Sequence, residues 1–173
     1  MKEEKKKMSK ALFVIDMQEA TVGKNHAKMF NYDDSILSSV NSTIESTDAD
    51  CIVYIRNLMK KNIINRLAPV KCFDGTDAAE LVEGLTVVGD NIYSKYEGNA
   101  FSNKDLCSLL EKQGITEIEI VGVDGGGCVA LSALGAVKLG YKVTLITKSI
   151  GTVFEKKQQR YFMKLKEKGA IFV

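Results

Sequence analysis

The chain has 173 residues, of which 45% are hydrophobic and 27% are charged, and its formal net charge is +2. This composition is typical of one globular domain, and no basic stripe interleaved with aromatic residues predicts nucleic-acid binding. The apolar runs are far too short to cross a bilayer, which argues against a membrane protein. No apolar segment near the start resembles an export signal, so we expect the four cysteines to be free thiols in the cytoplasm.

The chain begins with a charge run, MKEEKKKMSK, that cannot bury apolar surface. We expect residues 1–10 to form a flexible, solvated tail and residues 11–173 to form the single domain. The domain opens with ALFVI, a continuous apolar run typical of a buried parallel strand, which ends abruptly at Asp16. A carboxylate therefore follows the first predicted strand directly.

Strand and helix patterns alternate through the middle of the chain. Residues 19–32 have no steady hydrophobic period and predict a loop, and an amphipathic helix follows them. Two more strands are predicted at 51–55 and 91–95, and the second of these ends at Lys95. An ammonium group therefore follows another strand.

Alternation continues to the end of the chain, with strands predicted at 117–121, 142–146 and 170–173 and helices before, between and after the first two. Such alternation favours an α/β fold, because parallel strands need helical crossovers. We predict three layers, α/β/α, around a mostly parallel sheet of about six strands, as in Rossmann-like folds.

A glycine-rich turn from Gly122 to Gly127 separates one of these strands from the helix that begins at Cys128. The first N–H groups of a helix have no intrahelical partner and carry partial positive charge, which favours a thiolate and can hold an oxyanion. A buried cysteine that only packs is an equally simple interpretation. A phosphate-binding loop is a weaker one, because no Lys-Ser/Thr follows the glycines.

Ligands of open parallel sheets bind beyond the carboxyl ends of the strands. Because Asp16, Lys95 and Cys128 each follow an apolar run, we expect them to meet in one cleft. Asp16 would accept the thiol proton, Lys95 would favour the thiolate, and Cys128 would attack a carbonyl carbon. Taken singly, each residue also has a structural interpretation: a loop-orienting carboxylate, a solvated lysine and a packed thiol.

Four motifs in this order resemble the isochorismatase-like cysteine hydrolases, a family that includes nicotinamidases, N-carbamoylsarcosine amidases and ureidoacrylate amidases. The motifs are ALFVIDMQ at 11–18, GTDAAELVEGL at 75–85, YSKYEGNAF at 93–101 and VGVDGGGCVALSALGAVKLGYKV at 121–143.

The resemblance implies that Asp16, Lys95 and Cys128 form the family's catalytic triad. It also implies that the backbone N–H groups of Asp124 and Cys128 form an oxyanion hole, with a cis peptide between Val123 and Asp124. Relatives are commonly homodimers or homotetramers, so we expect a homo-oligomer that acts on a small molecule.

The chain also departs from its relatives. Nicotinamidases carry Asp-x-His and further histidines after the second strand to bind a metal, whereas this chain reads RNLMKKNIINR at 56–66 and His26 is its single histidine. We therefore expect neither a metal site nor a cofactor. Three glycines at 125–127 replace larger residues and are expected to widen the pocket floor. Lys148 replaces a common acidic residue, and nothing in the sequence explains that change.

The sequence thus favours a metal-independent cysteine hydrolase that cleaves a C–N bond of a small amide or carbamoyl compound through a thioester. One alternative is hydrolysis of an isochorismate-like vinyl ether, in which Asp16 does the acid chemistry and Cys128 is incidental. Another is a non-catalytic or thiol-redox protein that retains the fold. Further candidates are the loop around His26 as a cover for the substrate, a basic group that attracts a carboxylate (Arg56, Lys60, Lys61 and Arg66) and an aromatic pocket lining (Phe30, Tyr32, Tyr96 and Phe154).

Overall fold

The computed structural model describes residues 9–173, so most of the predicted tail, residues 1–8, lies outside the described part. The first strand, β1 (Ser9–Ile15), begins two residues earlier than the sequence predicts. Ser9 pairs with Ile115, and the Lys10 ammonium lies 3.1 Å from the Glu119 carboxylate. These two residues belong to the sheet because a neighbouring strand pairs with them, which the charge pattern of the tail does not show.

Strands and helices alternate along residues 9–173, as the sequence predicts, and the short helix α1 replaces part of the predicted loop at 19–32. The remaining elements are α1 (Glu19–Val22), α2 (Ile36–Ser46), β2 (Cys51–Asn57), α3 (Ile63–Arg66), β3 (Ile92–Lys95), α4 (Lys104–Lys112), β4 (Ile115–Val123), α5 (Cys128–Lys138), β5 (Lys142–Gly151), α6 (Glu155–Glu167) and β6 (Ile171–Phe172).

The strands described form one six-stranded sheet in the order β3-β2-β1-β4-β5-β6, and every pairing in it is parallel. The predicted α/β class and strand number are confirmed. From β1 the chain winds outward through β2 and β3, and it then returns to β4 on the other side of β1. This reversal leaves a crevice beyond the carboxyl ends of β1 and β4, where open parallel sheets bind ligands.

The central strand β1 is buried on both faces, which explains its uninterrupted apolar sequence. Phe13 and Ile15 pack with α4, α5 and α6 on one face, whereas Leu12 and Val14 pack with α2 on the other. Full burial of such a side chain stabilises the fold by roughly 1.5–3 kcal/mol. The strand is therefore a rigid support for the residue that follows it.

Among residues 9–173, no helix combines the length and the apolar character that a membrane span requires.

Next to the crevice, Gly122 of β4 pairs with Ile15 of β1, and its φ of +110° is a left-handed value. A methyl group there would overlap the carbonyl oxygen of Ile15. We therefore expect Gly122→Ala to lower the free energy of unfolding by at least about 3 kcal/mol, the sum of backbone strain and overpacking.

The matched control is Gly140→Ala, because Gly140 also has a positive φ, +90°, but has open space around its Cα. Gly140→Ala should lower the free energy of unfolding by only about 1 kcal/mol. Urea denaturation of both variants measures the difference, and equal losses would show that the contact with Ile15 is unimportant.

Candidate active site

The structure brings the three strand-end residues together around the Lys95 ammonium. Its Nζ lies 3.0 Å from Asp16 Oδ2 and 3.1 Å from Cys128 Sγ. A fourth residue, Asn57, accepts a hydrogen bond from the same Nζ at 3.0 Å through its Oδ1. Lys95 has three N–H groups, and each has a partner here. The sequence analysis missed Asn57, although it ends β2 and pairs with Lys95 in the sheet register.

Asp16 follows β1 in an unusual backbone conformation, with a φ of 53°. Its N–H donates to the Ile55 carbonyl oxygen of β2 at 2.8 Å, and its own carbonyl oxygen accepts a hydrogen bond from the Thr21 hydroxyl. Non-glycine residues rarely adopt positive φ, and such conformations persist where neighbouring structure enforces them. The contacts with β2 and with α1 therefore hold the carboxylate over the crevice.

Lys95 is almost completely buried, with 1% of its surface exposed. Burial by itself lowers the pKa of this ammonium, but the Asp16 carboxylate, together with the hydrogen bonds to Asp16 and to the Cys128 sulfur, outweighs it, so the pKa of Lys95 is raised. The group is therefore an ammonium at neutral pH, and it is not the solvated lysine that the structural interpretation of the sequence described.

The Cys128 thiol has a different character from the one that its position at a helix start predicts. Burial, the largest cause, and the Asp16 carboxylate raise its pKa, Lys95 lowers it, and the net result is a pKa of about 12. The prediction of a thiolate is therefore wrong for the resting protein. The loss of water around a buried anion raises the pKa by more than the partial charge of a helix end lowers it. The thiol is neutral and needs a base.

A suitable base is next to it. Asp16 Oδ1 is buried and has no hydrogen-bond partner among the described residues, whereas Oδ2 is bound to Lys95. A buried carboxylate oxygen that accepts no hydrogen bond can accept a proton from a nearby donor. The carboxylate can thus accept the thiol proton while it keeps its contact with the ammonium.

The glycine-rich turn is organised by Asp124. Its carbonyl oxygen accepts hydrogen bonds from the N–H groups of Gly127 and Val129, and its carboxylate accepts from those of Gly126 and Val153. The peptide bond between Val123 and Asp124 is cis, at the position that the resemblance implies. The described hydrogen bonds include none donated by the N–H of Asp124 or of Cys128, so both donors are available.

The three glycines of this turn do not all face the pocket. A Cβ at Gly125 would overlap the Thr152 hydroxyl, and one at Gly126 would overlap the Phe154 carbonyl oxygen. Only Gly127 lines the cavity, and a Cβ there would have ordinary contacts, the nearest 3.5 Å away at Asp124. The expected widening of the floor is therefore restricted to Gly127, because the other two glycines allow close packing of the segment before α6.

A cavity of about 340 Å³ opens in front of Cys128. Phe30 and Phe154 line it, as the sequence suggests. Tyr96, which is half exposed, and Tyr32 do not line it, and burial and then the Asp124 carboxylate raise the pKa of Tyr32. Its lining consists of Asp16, Gln18, Ala20, Thr21, Met29, Phe30, Asn57, Met59, Val70, Cys72, Val123, Asp124, Gly127, Cys128 and Phe154. Cys72 reaches this cavity from a loop without any hydrophobic period, so no sequence signal indicated it.

The other candidates from the sequence lie outside this cavity. His26 is exposed, and its Nδ1 lies 2.8 Å from the Gly23 carbonyl oxygen. Arg56 donates to the Glu80 carboxylate at 3.2 Å and does not line the cavity. The remaining basic residues are exposed and do not line the cavity either: Lys60, Lys61, Arg66 and Lys148.

No group of three or more His, Cys, Asp or Glu side chains within residues 9–173 is placed to hold a metal ion. Where the resemblance to nicotinamidases implies metal ligands, the chain has Asn57, whose Oδ1 is bound to Lys95, and Met59. These side chains do not fit a metal centre of the Asp-x-His kind.

The family model for the isochorismatase domain matches residues 10–173. The chain belongs to the isochorismatase family. A family member described as a "probable inactive nicotinamidase" of Arabidopsis thaliana is 29% identical over 154 residues, which cover 79% of this chain and 78% of the relative. The maleamate amidohydrolase of Pseudomonas putida is 28% identical over 89 residues, 50% of this chain and 42% of the relative.

Among solved structures of the family, the pyrazinamidase of Pyrococcus horikoshii in complex with zinc is similar over 95% of this chain and 98% of its own. The TM-score is 0.79 and the identity 26%. The fold is therefore shared with a pyrazinamidase whose structure contains zinc.

The raised pKa of Cys128 predicts how its alkylation depends on pH. Because the thiol is neutral well above pH 7, its reaction with iodoacetamide should rise about tenfold per pH unit, without a plateau, up to at least about pH 10. Asp16→Asn removes a negative charge that raises this pKa, so the same profile should shift to lower pH. Peptide mass spectrometry measures the alkylation at Cys128 separately from the other thiols.

The control is Glu97→Gln, which removes an exposed carboxylate two residues after Lys95 that is not among the causes of the Cys128 shift. Its alkylation profile should stay close to that of the wild type. A plateau below about pH 8 in the wild type would mean that the helix start, and not burial, determines the state of the thiol.

Proposed function

We propose that this protein is a cysteine hydrolase that cleaves a C–N bond of a small amide or carbamoyl compound through a thioester on Cys128. The observation that supports it most is the contact of one buried ammonium with both Asp16 and Cys128, beside a carboxylate oxygen that has no other partner. The amide substrate in the name of the Pseudomonas putida relative supports the same class of reaction.

In the first step, Cys128 Sγ attacks the substrate carbonyl carbon while its proton moves to Asp16 Oδ1. A C–S bond forms, and the carbonyl π electrons move to the oxygen. The N–H groups of Asp124 and Cys128 then donate to this oxyanion, because neither has a protein acceptor in the described structure. Lys95 donates a hydrogen bond to Asp16 Oδ2 and compensates the negative charge of the site during the transfer.

In the second step, the oxyanion collapses and the C–N bond breaks. Asp16 returns its proton to the leaving nitrogen, which departs as ammonia or an amine, and a thioester remains on Cys128. A water molecule then attacks the thioester carbon, Asp16 accepts a proton from it, and the C–S bond breaks to release the acid. The proton returns to the thiol, so atoms and charges balance over the cycle.

Each of these steps uses side chains and backbone groups of this chain. We route no step through a metal, since Asn57 and Met59 occupy the place where the resemblance to nicotinamidases implies ligands. The homodimer or homotetramer and the cytoplasmic location remain predictions, which analytical ultracentrifugation and cell fractionation test.

The thioester predicts the behaviour of Cys128→Ala in a panel of small amides and carbamoyl compounds that includes nicotinamide. The kcat/KM for the compound that turns over fastest should fall by at least about 10³-fold, because no other nucleophile is placed at the carbonyl. Lys95→Met and Asp16→Asn should cause similar losses, since the three residues act as a unit. Hydroxylamine should intercept the acyl group as a hydroxamate in the wild type only.

The matched control is Cys107→Ala, which removes a partly buried thiol on α4 that does not line the cavity. It should keep the wild-type kcat/KM. If Cys128→Ala retains activity, the chemistry belongs to Asp16 alone, as in vinyl-ether hydrolysis. If the protein consumes peroxide and hydrolyses no amide, the thiol-redox alternative is correct.

A further inference from the structure

Much of the cavity lining beside Cys128 is apolar, and its apolar side chains come from three separate connections. Met29 and Phe30 lie after α1, Met59 and Val70 lie on either side of α3 between β2 and β3, and Phe154 lies in the segment before α6. Their side chains carry no charge and no hydrogen-bond donor. A ligand in this cavity therefore exchanges water mainly for hydrocarbon and thioether groups.

The ionisable carboxyl groups in the lining belong to Asp16 and Asp124, and no lysine, arginine or histidine among residues 9–173 lines the cavity. The nearby cation, Lys95, already donates to Asp16, Asn57 and Cys128. A carboxylate on the substrate would lose its water without gaining a cation, and it would approach groups of its own charge.

Most other polar side chains of the lining are already engaged. The Gln18 amide accepts from the Asn57 N–H at 2.7 Å and donates to the Ala79 carbonyl oxygen at 2.9 Å. The Thr21 hydroxyl donates to the carbonyl oxygens of Asp16 and Gln18.

Asn57 is different. Because an ammonium can only donate, the atom bound to Lys95 must be Oδ1, and this fixes the orientation of the amide. Its Nδ2 makes no hydrogen bond to the described residues and is not among their buried, unsatisfied atoms, so it is a free donor at the cavity. The cavity thus offers donors to the substrate's amide oxygen and to one further acceptor on the substrate. Its described lining offers no cation that could neutralise a carboxylate.

The cavity volume limits the substrate further. A water molecule has a share of about 30 Å³ in the liquid, so 340 Å³ corresponds to roughly ten waters. A substrate of about ten non-hydrogen atoms, including its amide group, fills this space.

We propose that the acyl group of the substrate is compact, apolar and uncharged, and that the wall of Met29, Phe30, Met59, Val70 and Phe154 rejects amides that carry a carboxylate. The proposal rests on the proposed hydrolase function and specifies its substrate class. It separates this protein from its Pseudomonas putida relative, because maleamate carries a carboxylate.

The direct test compares 4-methylpentanamide with succinamate. The two amides have the same number of non-hydrogen atoms and the same two methylenes beside the amide, and they differ by an isopropyl group in place of a carboxylate. We expect kcat/KM to be at least about 100-fold higher for 4-methylpentanamide. If succinamate is hydrolysed as well or better, the inference is wrong, although the proposed hydrolase function stands.

A variant tests whether the wall is responsible. Met59→Lys keeps an unbranched side chain and places an ammonium at its end. It should raise kcat/KM for succinamate and so reduce the preference for 4-methylpentanamide at least tenfold. Met59→Leu, which adds no charge, should keep the wild-type preference. Val70→Lys repeats the test from a neighbouring position if Met59→Lys does not fold. If neither lysine narrows the preference, the wall does not determine the selectivity.

A third measurement does not depend on turnover. Iodoacetamide and iodoacetate both form a C–S bond with Cys128 as iodide leaves and the thiol proton is lost. Iodoacetamide carries an uncharged amide where iodoacetate carries a carboxylate. We expect Cys128 to prefer iodoacetamide at least tenfold more strongly than glutathione does, as measured by peptide mass spectrometry. An equal or smaller preference would overturn the inference. If the preference holds but no amide in the panel is hydrolysed, the proposed function fails, and only the exclusion of carboxylates from the cavity stands.

Discussion

The structure of this site depends on one buried ammonium. Lys95 extends from the end of β3 across β2 and donates to a carboxylate, an amide oxygen and a thiol that come from three other elements. A buried charge is tolerated only when its hydrogen bonds are complete, and removal of one partner of a buried pair costs roughly 3–5 kcal/mol. The same contacts that tie these elements together therefore also position the groups that would react.

The charge state of Cys128 results from opposing neighbours. Burial and the Asp16 carboxylate keep the proton on sulfur, and the Lys95 ammonium acts against them without outweighing them. A neutral thiol beside an unpartnered carboxylate oxygen is compatible with a nucleophile that is deprotonated only as it attacks. In such a site the reactivity comes from the geometry of proton transfer, and a thiolate need not be present at rest.

The reacting groups and the substrate pocket have different structural origins. Asp16, Asn57 and Lys95 lie at the ends of parallel strands, where the sheet register fixes their spacing. The apolar wall comes from loops, which adapt more readily because few backbone hydrogen bonds constrain them. In the proposed enzyme, this division would place the chemistry on the strand ends and the specificity on loop residues such as Met59.

The sequence by itself determined the alternation of strands and helices, the parallel sheet and the meeting of Asp16, Lys95 and Cys128. These follow from local hydrophobic patterns and from the rule that parallel strands end at one edge. Only the tertiary structure decided that Asn57 completes the ammonium site, that Cys72 reaches the pocket and that the Cys128 pKa is raised. Those features depend on burial and on distances between elements far apart in the chain, and hydrophobic periodicity contains no information about either.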